Sequence, residues 1–414
     1  MTTVPETAEA IAAIPRGGRS RVSLGFTAAA ALGRFELQVC SQCEAVQYPP
    51  REACYQCLSE RLVWKPQNGA GELLSRTVLH HSHDPYFGKR LPWHVGMVRL
   101  DCGPTVLAHL PAVAPKPPAR VWVSARLDRA GQGVLVASET EDDVDLSNDC
   151  RLREMTSDPR EANVLITDGR SAHSQAIVRA LAAAGAGRIW VGMDYEGQVD
   201  QRRSASTFRA AVEAPEVLRE LPQVTCLRLD VTDNGCVREA ASAVASEIDI
   251  LINTAQVRSL RSADLARAEM ESHYFGLLNL AEHFAPAVGA RAGPGQRLCP
   301  AWVNVLSLFA LSCHPPWGTY SASMAAAHSF SQCLRAQLRE TGARLVTVFP
   351  GPLEEGRSLG IPQSKLSPSA LAGSIVDALR RGVEEVYPGE VAREWVEGVL
   401  DRRRVSDSGA TVPR

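Results

Sequence analysis

Four cysteines carry the clearest chemistry in this chain: Cys40-x-x-Cys43 and Cys54-x-x-Cys57, with ten residues between the two pairs. Each Cys-x-x-Cys closes a tight turn that aims two thiolates at one point, and two such turns complete a tetrahedral sulfur shell for zinc. With four sulfur ligands and no open position, that metal would hold the fold and take no part in a reaction. Two disulfides would use the same four residues. Other groups offer less. His81 and His83 share one strand face, with His80 and His94 near by. They could suit a metal, but no Cys or Asp cluster at a known spacing accompanies them, and partly exposed strand histidines are the favoured reading. Lys89-Arg90 offers cations to a phosphate, or more simply is solvated loop charge. Phe87 and Trp93, beside Pro92, form an aromatic wall or barrel core.

The elements that must position these groups fall into two periods. Phe26–Val39 reads as a short helix leading into the first cysteine pair. After the second pair, apolar residues recur every second position in five short runs, 71–79, 95–100, 105–110, 121–127 and 133–137, separated by turn residues. Five such strands after a zinc ribbon suit a small barrel of the oligonucleotide/oligosaccharide-binding (OB) type. From Ala162 onward, continuous apolar runs at 163–167, 188–192, 225–229, 248–252, 301–306 and 344–349 alternate with helical stretches such as 175–184, 237–245 and 321–341. Strands of that kind belong in a parallel sheet buried on both faces. The expected architecture is therefore multidomain: a disordered start over 1–20, a zinc-ribbon and OB-fold domain over 21–138, an acidic linker over 139–160, a doubly wound Rossmann-like domain over 161–400, and a flexible tail over 401–414.

Composition excludes several classes. The 414 residues carry 44 basic and 46 acidic side chains, so no global field draws the chain to nucleic acid or an anionic membrane. OB barrels bind single strands through aromatic platforms in basic grooves, and no basic stripe accompanies this one. The first eighteen residues have no apolar core and do not read as a secretory signal. No run reaches the length of a membrane span. Seven further cysteines (102, 150, 226, 236, 299, 313 and 333) show no pairing pattern, which fits a reducing, cytoplasmic setting.

The front part, about Gly25 to Ala137, resembles the zinc-ribbon plus OB-fold (DUF35) family that accompanies thiolases and thiolase-like aldolases. The resemblance rests on Cys40-Ser-Gln-Cys43, Tyr48-Pro-Pro-Arg51, Cys54-Tyr-Gln-Cys57, Trp64, Gly69-Ala-Gly71, Asp84-Pro-Tyr-Phe87 and Leu91-Pro-Trp93. It implies a non-catalytic module that binds a thiolase-superfamily subunit and helps hold an acyl-CoA thioester. The back part, Ala162 to about Gly389, resembles the short-chain dehydrogenase/reductase family. Here the matching pieces are Ile166-Thr167, Leu229-Asp230-Val231, Ile252-Asn253-Thr254-Ala255, Ser307, Tyr320 and Phe349-Pro350-Gly351. Ser307 and Tyr320 stand thirteen positions apart, as that family's catalytic serine and tyrosine do. This second resemblance implies a nicotinamide coenzyme near Thr167, Asp168, Ala172, Ser174, Asp194, Asp230 and Asn253, and helical surfaces for homo- or hetero-oligomers.

Several of those positions depart from the family pattern. The glycine-rich turn that admits a pyrophosphate reads Thr167-Asp168-Gly169-Arg170-Ser171-Ala172-His173-Ser174, so its three glycine positions hold Asp168, Ala172 and Ser174. A carboxylate facing a phosphate at about 4 Å would cost on the order of 4 kcal/mol, unless Arg170 softens it. The lysine expected four residues after Tyr320 is Met324, which leaves the phenol near an ordinary pKa of about 10 and ionised in roughly one molecule in a thousand at neutral pH. His273 stands where the family has a helix asparagine, and Asn253-Thr254-Ala255-Gln256 replaces Asn-Asn-Ala-Gly. These departures argue for vestigial Ser307, Tyr320, His273 and Met324 positions and against a bound NAD(P). Alternatives are hydride transfer on a 3-keto or 3-hydroxyacyl-CoA, as in a 3-hydroxyacyl-CoA dehydrogenase or ketoreductase, and proton transfer with His273 as base.

Overall fold

The computed structural model describes residues 14–16, 18, 20–141, 148–193, 215–255, 264–292, 298–312, 315–354 and 363–407. The chain opens with helix α1 (Leu24–Ala31) and a three-stranded antiparallel ribbon, β1 (Glu36–Cys40), β2 (Val46–Gln47) and β3 (Leu62–Pro66), in the order β2-β1-β3. The helix expected over 26–39 is thus shorter. Gly33 takes a left-handed φ of 69° and stops it, and the chain continues from Glu36 as strand β1, buried along its whole length. Gly25 lets α1 lie on Trp64: a Cβ there would meet the indole at 2.2 Å.

The barrel is closed by β4 (Ala70–Leu79), β5 (Trp93–Leu100), β6 (Thr105–His109), β7 (Ala119–Leu127) and β8 (Gly133–Ser138), with one turn of helix, α2 (Pro85–Gly88), between β4 and β5. Period-two alternation sorts the strands into two cores. Leu73, Val98, Leu100, Val121 and Leu135 fill the interior. Trp93, Val95, Val134 and Val136 face outward and would be wet on an isolated barrel. They are covered by Leu152 and Met155, around helix α3 (Cys150–Arg153), and by Phe87 and Leu91. Residues 148–160 are therefore no free linker. Ser157 and Asp158 are almost fully buried, and Asp158 lies beside Arg160 and Arg153. The polar, aperiodic composition hid this, since Leu152 and Met155 are its only large apolar anchors.

The back domain carries seven strands: β9 (Asn163–Ile166), β10 (Arg188–Met193), β11 (Val224–Arg228), β12 (Ile250–Asn253), β13 (Ala301–Val305), β14 (Arg344–Val348) and β15 (Glu385–Val386). All pair in parallel in the order β11-β10-β9-β12-β13-β14-β15. The chain reverses direction of travel across the sheet between β9 and β12, so the crevice at their C-terminal ends is the expected ligand site. The core on one face includes residues of α4 (Ala172–Ala183) and α10 (Pro368–Arg381); the other face takes α6 (Asn234–Val244), α8 (Gly276–Ala290) and α9 (Gly318–Thr341). Shorter α5 (Glu216–Arg219) and α7 (Leu265–Met270) connect these layers, and α11 (Glu390–Asp407) closes the described chain. Strand β15 was not foreseen, being two residues long. Helix α11 runs into the stretch expected as a tail, whose remainder from 408 lies outside the described residues, as does the expected disordered start through residue 13.

The two domains meet on a seam of arginines. Arg129, 2% exposed, reaches from the turn between β7 and β8 to the carbonyl oxygens of Ala292 (2.9 Å) and Gly342 (3.4 Å), at the C-terminal ends of α8 and α9. Arg344, 3% exposed, donates the other way to Met155 (2.7 Å) and Leu127 (3.0 Å). Arg126 donates to the Arg381 carbonyl (2.7 Å), and Arg381 to that of Gly33 (2.9 Å). Burial pushes the Arg126 guanidinium down to about 9, with the like charge of Arg381 adding to it. Helix C-termini are partial negative charges, so a guanidinium there meets both unsatisfied carbonyls and a favourable dipole.

Substituting Arg129→Met keeps an apolar stem but strands two carbonyls. We expect a loss of about 2 kcal/mol and a single urea transition that splits into two. Tryptophan fluorescence and far-ultraviolet circular dichroism would read the two domains; an unchanged single midpoint would show that the seam does not couple them.

Candidate functional site

The four ribbon cysteines converge. Their sulfur atoms all lie within 4.8 Å of one another, and Cys40–Cys57 and Cys43–Cys54 are each 3.6 Å apart. Zinc–sulfur bonds of about 2.3 Å in a tetrahedron put sulfurs about 3.8 Å apart, whereas a disulfide needs about 2.05 Å. The residues fit a closed tetrathiolate zinc site, and the disulfide alternative falls. Both turns are built alike. The Gln42 amide donates to Cys40 Sγ and the Gln56 amide to Cys54 Sγ, each at 3.4 Å, and Glu44 and Leu58 both take φ of 60° just beyond. The Cys57 backbone N–H lowers the pKa of Cys54 against the raising effect of burial, and the Gln56 N–H adds to the lowering. Two buried glutamines, which sequence reasoning missed, tie the knuckles to the sheet. Gln47 Oε1 accepts from the Tyr55 amide (3.2 Å), and Gln38 Oε1 accepts from both Arg51 N (2.8 Å) and Gln47 Nε2 (3.0 Å).

The lesser candidates of the front domain resolve differently. His81 and His83 do meet, ring to ring at 4.9 Å, but they are exposed, and the four cysteines form the one group with metal-ligand geometry among the described residues. Arg90 is neither solvated nor available to a phosphate: it is buried, pairs with Glu154 and lies 3.9 Å over the Tyr86 ring. Phe87 and Trp93 belong to the outer satellite core, where the Trp93 indole donates to His109 Nδ1 at 2.8 Å.

In the crevice of the large sheet, Thr167 and Asn253 hold the ends of β9 and β12 together. Thr167 Oγ1 donates to Asn253 Oδ1 (3.0 Å) and accepts from Thr254 N (3.0 Å), and Thr254 Oγ1 donates to the Asp168 carbonyl (2.9 Å). Asp168 is not a bare charge. Arg170 grips it with Nε at 2.8 Å and Nη2 at 2.7 Å, so the repulsion expected toward a phosphate is largely cancelled. Gly169 is required by packing, since a Cβ would meet Val191 at 2.2 Å. Ala172 opens α4, and the Ser174 amide, a donor that an anion at this helix end would use, is already capped by Ser171 Oγ at 3.0 Å. Asp230 Oδ1 accepts from Thr232 N (2.9 Å) and Thr232 Oγ1 (2.7 Å) in a local turn. Asp194 and Gln256 lie outside the described residues.

Ser307 follows β13, and its hydroxyl accepts from Phe309 N at 3.3 Å. Tyr320 sits in the first turn of α9, edge to face with His273 at 5.4 Å between ring centres. His273, 4% exposed, belongs to a π-helical turn (Glu271–Phe275) between α7 and α8. Its Nδ1 lies 2.9 Å from Ser323 Oγ, which donates to the Tyr320 carbonyl at 2.9 Å. That hydroxyl proton is committed, so Ser323 can only accept from His273. Nδ1 carries the hydrogen and Nε2 the lone pair. Sequence reasoning passed over Ser323, although its place three residues after Tyr320 puts it on the same helix face. Met324 is 1% exposed and packed in the apolar core, where an ammonium would be desolvated.

Comparison with known proteins follows this anatomy. Residues 27–63 match the "ChsH2, rubredoxin-like zinc ribbon domain", residues 64–131 the "ChsH2, C-terminal OB-fold domain", and residues 162–358 the "short chain dehydrogenase" family. This chain is a ChsH2-type zinc ribbon and OB-fold joined to a short-chain dehydrogenase/reductase domain. Among curated relatives, the bovine dehydrogenase/reductase SDR family member 7B is 29% identical over 209 residues, which are 48% of this chain and 60% of that protein. The chain therefore spans about three fifths of that relative's length. Mouse family member 7C is 26% identical over 260 residues, 61% of this chain and 78% of its own. Among solved structures, a short-chain dehydrogenase from Burkholderia cenocepacia J2315 in complex with NADP is 28% identical, covering 61% of this chain and 99% of its own, with a TM-score of 0.48. No helix among the described residues is long and apolar enough to cross a membrane.

Metal analysis should return about one zinc per chain. Cys54→Ser should release it and unfold the ribbon, because metal binding is folding free energy in so small a unit. Heteronuclear NMR of the ribbon amides would report this directly; a metal-free ribbon that keeps its native spectrum would contradict the assignment.

Proposed function

We propose that this chain is an accessory subunit of a thiolase or thiolase-like aldolase assembly that acts on acyl-CoA. Its ribbon and barrel would dock on the catalytic partner and help hold the thioester, and its dehydrogenase-like domain would serve as a scaffold. The observation that carries this reading is the ChsH2-type pair of front domains, whose metal site is closed to chemistry while large apolar side chains are left outside both cores. Tyr55 and Leu58 protrude beside the second cysteine pair, and Met97 and Leu107 pair across β5 and β6 on the outer barrel face. Apolar groups in such positions suit a protein contact. On the back domain, Phe275 and Leu278 are exposed along the start of α8 and would serve self-association or pairing with an active relative. None of the described cysteines is in a disulfide, and those outside the ribbon are free thiols, which suits a reducing, cytoplasmic setting.

The scaffold role of the back domain is supported by the buried thioether of Met324 and by the internally capped start of α4. Both remove cationic or donor groups that a coenzyme would need. A second reading, an NAD(P)-dependent 3-hydroxyacyl-CoA dehydrogenase or ketoreductase, is favoured by the oxidoreductase relatives and by the Asp168–Arg170 pair, which lifts the charge objection. In it Ser307 and Tyr320 would orient a substrate oxygen, and a bound nicotinamide would supply the hydride.

Titration of the native chain with NADH and NADPH, followed by nicotinamide fluorescence, separates the two. The scaffold reading expects no saturation in the micromolar range, with gain of binding when Ala172→Gly, Ser174→Gly and Met324→Lys are combined. Micromolar binding by the unaltered chain would rule for the oxidoreductase. Affinity purification from the native source should bring down a thiolase-superfamily subunit, and recovery of the chain without one would count against the accessory role.

A further inference from the structure

A groove of about 490 Å³ opens where the front module meets the outer edge of the large sheet. Both domains build it. Leu32 and Arg34 come from the turn after α1, Val386 from edge strand β15, and Arg393 and Val396 from α11. Neither domain alone would enclose the space, and clefts between domains are preferred places for small ligands.

Its charges do not balance by pairing. Among the described residues the Arg34 side chain makes no hydrogen bond or ion pair, and its charge acts on the Tyr387 hydroxyl in the same groove. Arg393 uses only Nε, on the Gly389 carbonyl (3.2 Å), which leaves both terminal nitrogens free to bind. Arg381 gives one donor to the Gly33 carbonyl and meets Asp377 at 3.4 Å. The acids are largely occupied. Glu385 accepts from Arg335 Nη1 (3.1 Å) on one oxygen and from the Tyr387 hydroxyl (3.2 Å) on the other. Glu397 is the remaining carboxylate on the lining. The rest of the wall includes Leu32, Val386 and Val396, so apolar surface runs up to two available guanidinium groups.

We propose that this groove binds an amphipathic anion: a carboxylate or phosphate head held by Arg34 and Arg393, with its apolar body against Leu32, Val386 and Val396. Guanidinium groups suit such heads because their planar donors engage two oxygens at once. The site is separate from the crevice at β9 and β12 and from the zinc ribbon. It gives the fusion of the two domains a consequence that neither half carries.

The test uses the full chain and the fluorescent probe anilinonaphthalene sulfonate, itself an amphipathic anion. Its binding should saturate, and octanoate or octyl phosphate should displace it, the stronger of the two identifying the preferred head. Octanol, which has the same tail and no charge, should displace it at least about tenfold less well. The double variant Arg34→Ala, Arg393→Ala should weaken the probe about tenfold or more, and Ser374→Trp, which grows a ring from α10 into the groove, should abolish binding. Glu397→Gln should tighten it. Thermal melts confirm that each variant is folded, and the competition arm needs no variant. Equal displacement by octanol, or undiminished binding by the folded double variant, would overturn the proposal.

Discussion

Buried guanidinium groups hold this molecule together. Arg129, Arg344 and Arg126 are each taken out of water and directed onto backbone carbonyls of the opposite domain. A buried charge with no partner would be prohibitive, so these side chains restrict the domains to arrangements in which the carbonyls stay aligned. Arginine suits the task because its donors fan out in a fixed plane: Arg344 reaches Met155 with one terminal nitrogen and Leu127 with the other. An apolar seam of the same area would tolerate sliding. This one fixes the angle between barrel and sheet, and with it the groove beside α1 and β15.

The same seam explains why residues 148–160 could not be read as what they are. Leu152 and Met155 cover an outward face of the barrel, and the Met155 carbonyl is an acceptor for Arg344. Nothing local in that charged, aperiodic stretch announces either role. By contrast, the barrel strands were legible because their apolar residues recur at every second position, as in β5 and β6, and the sheet strands because each is built on a run of mainly apolar residues. Two-residue β15 offered no period to detect. The ribbon cysteines were legible because four thiols at one spacing have few other uses, whereas Gln38 and Gln47 look like ordinary polar strand residues until their neighbours are known. Arg90 misled for the opposite reason: a charged loop residue is usually wet, and this one is stacked on Tyr86 and paired with Glu154.

In the crevice, the departures from the dehydrogenase pattern are individually well accommodated. Asp168 has its own cation in Arg170, the Ser174 amide at the start of α4 has its own cap in Ser171, and Met324 has apolar neighbours. A reversion therefore disturbs contacts already made. Met324→Lys alone, for example, would bury an ammonium with no provision for it.

His273 belongs to the same logic. In the π-helical turn its ring is set against Tyr320, and Ser323 fixes its tautomer through a proton already given to the Tyr320 carbonyl. The nitrogen that carries the lone pair is therefore Nε2, and the orientation of the ring is set by its hydrogen bond to Ser323 and its edge contact with Tyr320. A lysine four residues after the tyrosine would have imposed a permanent cation on this pocket. The chain has instead a thioether at that position, packed in the apolar core against which Tyr320 also lies.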